Sequence, residues 1–171
     1  MIITMKELEF RKAAEFTSPN PLVLVCTEKP DGSMNLAPVS YVSYLSSNPP
    51  MLGFAMGKGS YTGKRTRETG KAVLAVPGSS LRDAAIRCGS VSGSDTDKVR
   101  SFQIPMTSLP GTSIQIPADT KLAFVVSLSQ TAEVGNHFLH ICSIDKIYGD
   151  EEKDALFAWD GYLRAACVRE K

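Results

Sequence analysis

Runs of β-branched and aromatic residues, separated by Gly, Pro and Asn, recur along most of this chain. They predict strands over residues 22–28, 34–47, 51–56, 71–77, 121–134, 137–149 and 161–168. Asp31-Gly32 and Gly135-Asn136 are typical two-residue hairpin turns, and Pro38 requires an edge strand or a bulge. Because the strands come as hairpins rather than as β-α-β units, we expect a mainly β fold with a few helices, an antiparallel barrel or sandwich.

Helical patterns interrupt the strands at three places. They predict helices over residues 5–15, 60–69 and 79–88. The first follows a capping box at Thr4–Glu7, and the second has Ser60 or Thr62 as its cap and Gly70 as its end. The segment 89–119 has no regular pattern, and a loop of this length is typically a lid, a dimer arm or a binding loop.

Composition narrows the class of protein. The 171 residues suit one domain, which we place over 1–171, and 43% hydrophobic with 22% charged residues is enough for a core. A net charge of +1 disfavours a dedicated nucleic-acid or membrane-surface binder. No apolar run approaches a membrane span and no signal-peptide core opens the chain, so we expect a cytoplasmic protein.

The histidines and cysteines do not form a metal motif. The four cysteines are widely spaced without a C-x-x-C pair. His137, His140 and Cys142 lie on one predicted strand, where His137 points to one face and the other two to the opposite face. We therefore expect no metal site.

The stretch "AMGKGSYTGKRTRETG", residues 55–70, combines small residues, hydroxyls and cations in the manner of a phosphate site. It is not a Walker A loop, because Lys58 stands in place of the first glycine and Arg65 in place of Ser or Thr. It is not a dinucleotide fingerprint either, because Thr62 stands in place of the third glycine. A phosphate site and a solvated basic helix start both remain open.

The strand "NLAPVSYVSYLSS" favours the ligand interpretation. Asn35, Ser40 and Ser43 are polar residues in a strand that reads as buried, and buried polar groups need hydrogen-bond partners. A planar polar heterocycle would supply such partners. Its phosphate would then reach the helix start at Ser60 and Thr62, where amides and the helix dipole favour an anion.

Four segments in order resemble the flavin reductase-like family of FMN-binding split-barrel proteins, which includes flavoredoxin. They are "DGSMNLAPVSYVSYLSSNPPMLGF", "GSYTGKRTRETGKAVLAVP", "SGSDTDK" and "GNHFLHICSI". The resemblance implies an antiparallel Greek-key split β-barrel that binds FMN. It also implies a homodimer, in which the partner completes the pocket, and a small molecule or protein as electron acceptor.

The resemblance also implies the residues of the FMN site. The phosphate would be held by Ser60, Thr62 and a cation among Lys58, Lys64 and Arg65. The flavin ring and ribityl chain would lie along two strands, and His137 would contact the flavin or the incoming donor. The full set expected to bind the cofactor is Asn35, Pro38, Val39, Ser40, Tyr41, Phe54, Ala55, Met56, Lys58, Ser60, Tyr61, Thr62, Lys64 and Arg65.

Two activities follow from the resemblance. One is an oxidoreductase in which NADH or NADPH reduces bound FMN, which passes electrons to free flavin or another acceptor. The other is a flavoredoxin-like electron carrier without its own nicotinamide site, and a flavin-free binding protein is a third interpretation. Asn136 stands where Asp is usual before the histidine, so we expect His137 to position rather than to donate a proton.

Overall fold

A computed structural model describes residues 5–168 of the chain. The helices are α1 (Phe10–Phe16), α2 (Tyr61–Thr69), α3 (Arg82–Ser90) and α4 (Lys98–Ser101). The strands are β1 (Val23–Glu28), β2 (Met34–Val39), β3 (Val42–Ser47), β4 (Pro50–Gly57), β5 (Lys71–Pro77), β6 (Met106–Thr107), β7 (Ile116–Pro117), β8 (Thr120–Val134), β9 (His137–Gly149), β10 (Leu156–Trp159) and β11 (Arg164–Cys167). None of the helices in this described part has the length and apolar character needed to span a membrane.

Seven strands form one antiparallel sheet in the order β2-β1-β5-β8-β9-β4-β3. The sheet curls strongly, because Ala37 of β2 shares a buried cluster with Leu52 and Phe54 of β4, although four strands separate β2 from β4 in the sheet. Register shifts between β8 and β9 bend the sheet where the bulged residues leave the ladder. The predicted mainly β, antiparallel split-barrel architecture is confirmed.

Successive side chains of each strand point to opposite faces of the sheet, so the core forms two clusters. On β1, Val23 and Val25 point into the curled sheet, whereas Leu24 and Cys26 point to the outer face. The outer face is covered by α3 and by the segment that follows it, which buries Ile104, Ile114 and Ile116 against the sheet. The second face is therefore closed by the region that lacked a regular pattern in the sequence.

The predicted hairpin turns, the two ends of α2 and the edge position of Pro38 are confirmed. Gly32 and Gly135 have φ of 83° and 55°, and each joins two paired strands. Ser60 caps α2 by accepting a hydrogen bond from the Gly63 amide, and Gly70 ends the helix at φ 69°. Pro38 lies in β2, which is an edge strand of the sheet.

Two predicted elements have different bounds. The first helix begins at Phe10 rather than at residue 5 and buries no side chain, and Thr4 of the predicted capping box lies outside the described residues. The predicted strand 34–47 is divided at Ser40 and Tyr41 into β2 and β3. The Tyr41 carbonyl accepts a hydrogen bond from the Ala55 amide, so the chain crosses from one edge of the sheet to the other at this break.

Three other predictions need correction. The irregular segment 89–119 contains α4 and the short ribbon β6–β7. The predicted strand 161–168 is shorter, and it pairs with β10, which the pattern analysis missed. The predicted helix 79–88 starts as a 3₁₀ turn and continues as α3 to Ser90.

Gly70 offers a test of the end of α2. We expect Gly70→Ala to lower the free energy of unfolding by about 1–2 kcal/mol, because an L side chain at positive φ is strained. Gly59→Ala is the control, since a Cβ there meets open space and no positive φ is present. Denaturant unfolding monitored by circular dichroism measures both changes. Equal values for the two variants would contradict a strained Gly70.

Candidate functional site

An elongated cavity with two lobes lies at one end of the curled sheet. The first, which we call the aromatic lobe, has a volume of about 560 Å³, and the second, the helix lobe, about 540 Å³. The lobes are continuous, since both are lined by Pro38, Met56, Gly57, Gly89 and Ser90. A ligand long enough to reach from one lobe into the other therefore matches this cavity.

Three rings stand along the wall of the aromatic lobe. The Tyr41 ring centroid lies 5.4 Å from that of His137 and 6.1 Å from that of Tyr162. Tyr162 lies in the turn between β10 and β11, where Asp160, Gly161 and Tyr162 all have positive φ. Two of these residues are not glycine, and such strained conformations concentrate at ligand sites.

His137 begins β9 at the mouth of the aromatic lobe, as predicted. Its Nδ1 lies 2.6 Å from Oδ1 of Asn136. An amide oxygen only accepts, so Nδ1–H donates this hydrogen bond, and Nε2 has no hydrogen-bond partner among the described residues. The predicted separation of faces is also correct, because His140 and Cys142 are fully buried while His137 is not.

The helix lobe is built on the first turn of α2. Ser60, Tyr61 and Thr62 line it, and the amides of the first helical residues have no carbonyl partner within a helix. One of these amides, that of Gly63, is capped by Ser60 Oγ at 3.1 Å. The remaining amides and the helix dipole make this end of the lobe attractive to an anion.

Asn35 does not line the cavity but orients a residue that does. Its Nδ2 donates to Oγ1 of Thr62 at 2.7 Å and to Oγ1 of Thr27 at 3.2 Å. Because Thr62 Oγ1 accepts from Asn35, its own proton is available to donate to an anion. Asn35 Oδ1 is buried without a hydrogen-bond partner and lies so close to Gly93 that a Cβ there would approach it to 1.9 Å.

Lys98 brings a buried positive charge to the helix lobe. The residue is 3% exposed, and its Nζ donates to the carbonyl oxygens of Leu36 and Cys88 at 2.8 and 2.7 Å. Burial lowers the pKa of Lys98, an effect that Cys88 opposes and the charge of Lys29 reinforces. Within residues 5–168 no carboxylate forms an ion pair with Lys98, so an anion in the lobe would compensate this charge.

Cys88 does not provide that negative charge. Burial raises the pKa of its thiol to about 11, although Lys98 and Arg87 oppose the shift. The thiol is therefore neutral at pH 7, and a neutral thiol is a poor nucleophile. The lobe holds a cation, hydroxyls and helix amides, and its chemistry is that of anion binding.

The three candidates for the cation that would hold the phosphate all have partners within the protein. Lys58 pairs with Glu133, Lys64 and Arg65 both pair with Glu68, and Arg65 also donates to the Glu28 carbonyl oxygen. None of the three lines either lobe. Whether any of them contacts a bound ligand remains a prediction.

The other residues predicted for the cofactor site either line the cavity or lie buried behind its lining. Those that line the cavity are Pro38, Val39, Ser40, Tyr41, Ala55, Met56, Ser60, Tyr61, Thr62 and His137. Asn35 and Phe54 are fully buried behind the lining. Sequence reasoning missed Lys98 and Tyr162 as lining residues, although the S-G-x-x-x-D-K segment that ends at Lys98 was a signal for the first.

Comparison with known proteins supplies the family. The model of the flavin reductase like domain matches residues 16–166. Flavoredoxin from Methanosarcina acetivorans superimposes with a TM-score of 0.83 at 22% identity, covering 99% of this chain and 94% of that one. An FMN-binding protein from Thermus thermophilus, solved with bound 1-cyclohex-2-enone, gives 0.81 at 19% identity, covering 100% and 97%. The NADH:FAD oxidoreductase SgcE6 of Streptomyces globisporus gives 0.83 at 11% identity, covering 98% and 100%.

Proposed function

Because this chain belongs to the flavin reductase-like family, we propose that it is an FMN-binding oxidoreductase in which NADH or NADPH reduces a flavin or another acceptor through bound FMN. The observation that carries the proposal is Lys98, a buried cation without a carboxylate partner in the described chain, in a lobe continuous with an aromatic one. Two structural neighbours are named as flavin proteins, one as FMN-binding and one as an NADH:FAD oxidoreductase, which supports a flavin as the cofactor.

The lining of the cavity fits FMN at both ends. The aromatic lobe offers Tyr41 and Tyr162 beside backbone of β4, a setting suited to a planar ring with polar edges. The helix lobe offers Thr62, Lys98 and the first amides of α2 to a phosphate monoester. The five shared lining residues leave a continuous path for the chain that joins ring and phosphate.

Each part of the protein then has a defined task. Bound FMN supplies the electron-transfer chemistry of the reaction. Asn35 orients the Thr62 hydroxyl, and the buried Lys98 supplies a positive charge to the phosphate. His137 presents its free Nε2 at the open end of the aromatic lobe, where a donor or acceptor molecule would approach.

The electron-carrier interpretation remains the second candidate, because the fold matches flavoredoxin equally well. The absorbance spectrum of the purified protein tests the shared part of both proposals, and bands of an oxidised flavin are the expected result. Stopped-flow mixing with NADH or NADPH then separates them, since an oxidoreductase bleaches its bound flavin rapidly and a carrier does not. A colourless protein that takes up no added FMN would contradict both.

We also propose a homodimer. The edge strand β3 exposes 72% of Tyr44 and 49% of Leu45, and Leu163 at the rim of the aromatic lobe is 79% exposed. A second subunit would cover such apolar side chains and complete the open lobe. We expect sedimentation equilibrium to give twice the 18.5 kDa of the chain, and a monomer with tightly bound FMN would contradict this proposal.

The state of the cysteines supports the proposed cytoplasmic location. All four cysteines of the chain are within the described residues, and all are free thiols. Reduced cysteines are typical of the cytoplasm.

Lys98 should determine the preference for FMN over riboflavin. We expect Lys98→Met to weaken FMN binding by about tenfold to a hundredfold, as for loss of one hydrogen bond to a charged group, and to leave riboflavin nearly unchanged. Lys64→Met is the matched control, because Lys64 is exposed and paired with Glu68. Flavin fluorescence titration measures both ligands. A larger loss in the Lys64 variant would move the phosphate to the outer face of α2.

His137 should act on the reaction rather than on cofactor binding. We expect His137→Ala to slow reduction by NADH or NADPH by about tenfold or more, because a contact made only with the incoming molecule affects the rate and not the cofactor affinity. Single-turnover kinetics at saturating FMN give the rate, and titration gives the affinity. Normal reduction with normal FMN content would contradict a role of His137 in the reaction and limit it to the hairpin.

A further inference from the structure

His140 is the second histidine of the chain, and none of the tasks described above involves it. It is fully buried in β9, directly opposite Phe54 of β4, and the two rings stack at 4.8 Å with an angle of 12°. Both ring nitrogens have partners: Nδ1 lies 3.3 Å from the Phe54 carbonyl oxygen, and Nε2 lies 3.2 Å from Nη1 of Arg67. A buried histidine in which both nitrogens are used holds its two partners at a fixed separation.

The chemistry of the partners defines the form of the ring. A guanidinium only donates, so Nε2 must accept from Arg67, and a carbonyl only accepts, so Nδ1–H donates to Phe54. The neutral ring with its proton on Nδ1 is the form that satisfies both. Burial lowers the pKa of His140, as does the charge of Arg67, while the backbone groups of Phe54 and Gly63 oppose the shift.

The two partners belong to the two walls of the cavity. Ala55 and Met56, which follow Phe54 on β4, line the aromatic lobe. Arg67 lies one turn after Gly63 on α2, and the first turn of this helix forms the helix lobe. Gly63 lies against the same contact, since a Cβ there would come within 3.2 Å of Arg67 Nη1 and 3.3 Å of His140 Cε1.

We propose that His140 is a positioning residue that holds α2 against β4 through its bonds to Arg67 and Phe54, and so fixes the spacing between the two lobes. This inference rests on the proposed binding of FMN. A ligand with a ring and a phosphate must satisfy both lobes at once, whereas a ligand without phosphate needs only the aromatic lobe. The contact therefore selects for FMN over riboflavin, although His140 touches neither.

Arg67→Met is the decisive variant. It removes the donor to His140 while keeping an unbranched side chain to pack on the Phe138 ring, over which Arg67 lies at 4.5 Å. We expect the ratio of FMN to riboflavin affinity to fall about tenfold, because the first turn of α2 is no longer held in place. Arg87→Met is the matched control. Arg87 of α3 lies 4.3 Å over the Phe102 ring, and it lines neither lobe. The ratio of FMN to riboflavin affinity in Arg87→Met should equal that of the wild type.

His140 variants test the other half of the contact. We expect His140→Leu to lower the ratio as Arg67→Met does, and the double variant to fall no further, because both single changes break one contact. His140→Gln keeps an oxygen acceptor for Arg67 and should recover part of the ratio.

Nitrogen NMR shifts of the wild type at pH 7 should show a neutral His140 with its proton on Nδ1. If His140→Leu does not fold, Arg67→Met and the NMR tautomer still decide.

The outcomes separate this inference from the proposed function. A wild type that does not prefer FMN to riboflavin would overturn the phosphate site and, with it, this role of His140. A wild type that prefers FMN, together with an unchanged ratio in Arg67→Met, would overturn the role of His140 alone. Equal weakening of both ligands in Arg67→Met would likewise overturn it, since that result indicates a general loss of structure.

Discussion

The attachment of α2 to the sheet is the contact on which the candidate site depends. The residues that this helix buries are Thr62, Gly63 and Thr66, which provide little apolar area. Hydrophobic burial alone therefore cannot fix the position of α2 on the sheet. Directional hydrogen bonds fix it instead. Asn35 holds Thr62 from one side, and His140 contacts Gly63 and Arg67 on the other. Directional bonds fix an angle and a distance, which an anion site built on helix amides requires.

The curl of the sheet brings these two supports together. Asn35 lies in β2 at one edge, and His140 lies in β9 near the other edge, with β1, β5 and β8 between them. In a flat sheet the two side chains would be several strand spacings of about 4.8 Å apart. The bulges that bend β8 against β9 are thus part of the architecture of the site, although they lie outside it.

Local chemistry allowed much of this fold to be predicted from the sequence. The hairpins at Gly32 and Gly135 and the cap at Ser60 each depend on residues within a few positions, so their patterns are readable. The break at Ser40 and Tyr41 was missed because the β-forming residues Val39, Tyr41 and Val42 continue across it, while the change of sheet edge is a tertiary event. Strand parity correctly separated His137 from His140, but it carries no information on which partner each one meets.

The candidate site was predicted less completely for the same reason. Ser60 and Thr62 were found because they belong to the helix start itself. The cation was sought among Lys58, Lys64 and Arg65, which are near in sequence, whereas Lys98 reaches the lobe from α4, more than thirty residues later. Its burial depends on how the segment after α3 folds over the sheet, and that segment has no periodicity from which its path could be derived.

The two ends of the cavity differ in how firmly they are built, and this difference bears on function. Buried polar groups stand behind the helix lobe: Asn35, Thr62 and Lys98 are at most 3% exposed, and the Asn35 amide and the Lys98 ammonium donate hydrogen bonds within the protein. The aromatic lobe is bounded by half-exposed rings and by a turn with three consecutive positive φ values. A rigid end suits permanent retention of a cofactor, because little ordering entropy is then lost on binding. Under the proposed function, an end with half-exposed rings and a strained wall suits exchange of donor and acceptor molecules, which must enter and leave at every turnover. The proposed function would therefore place retention of the cofactor and exchange of the reacting molecules in separate parts of one cavity.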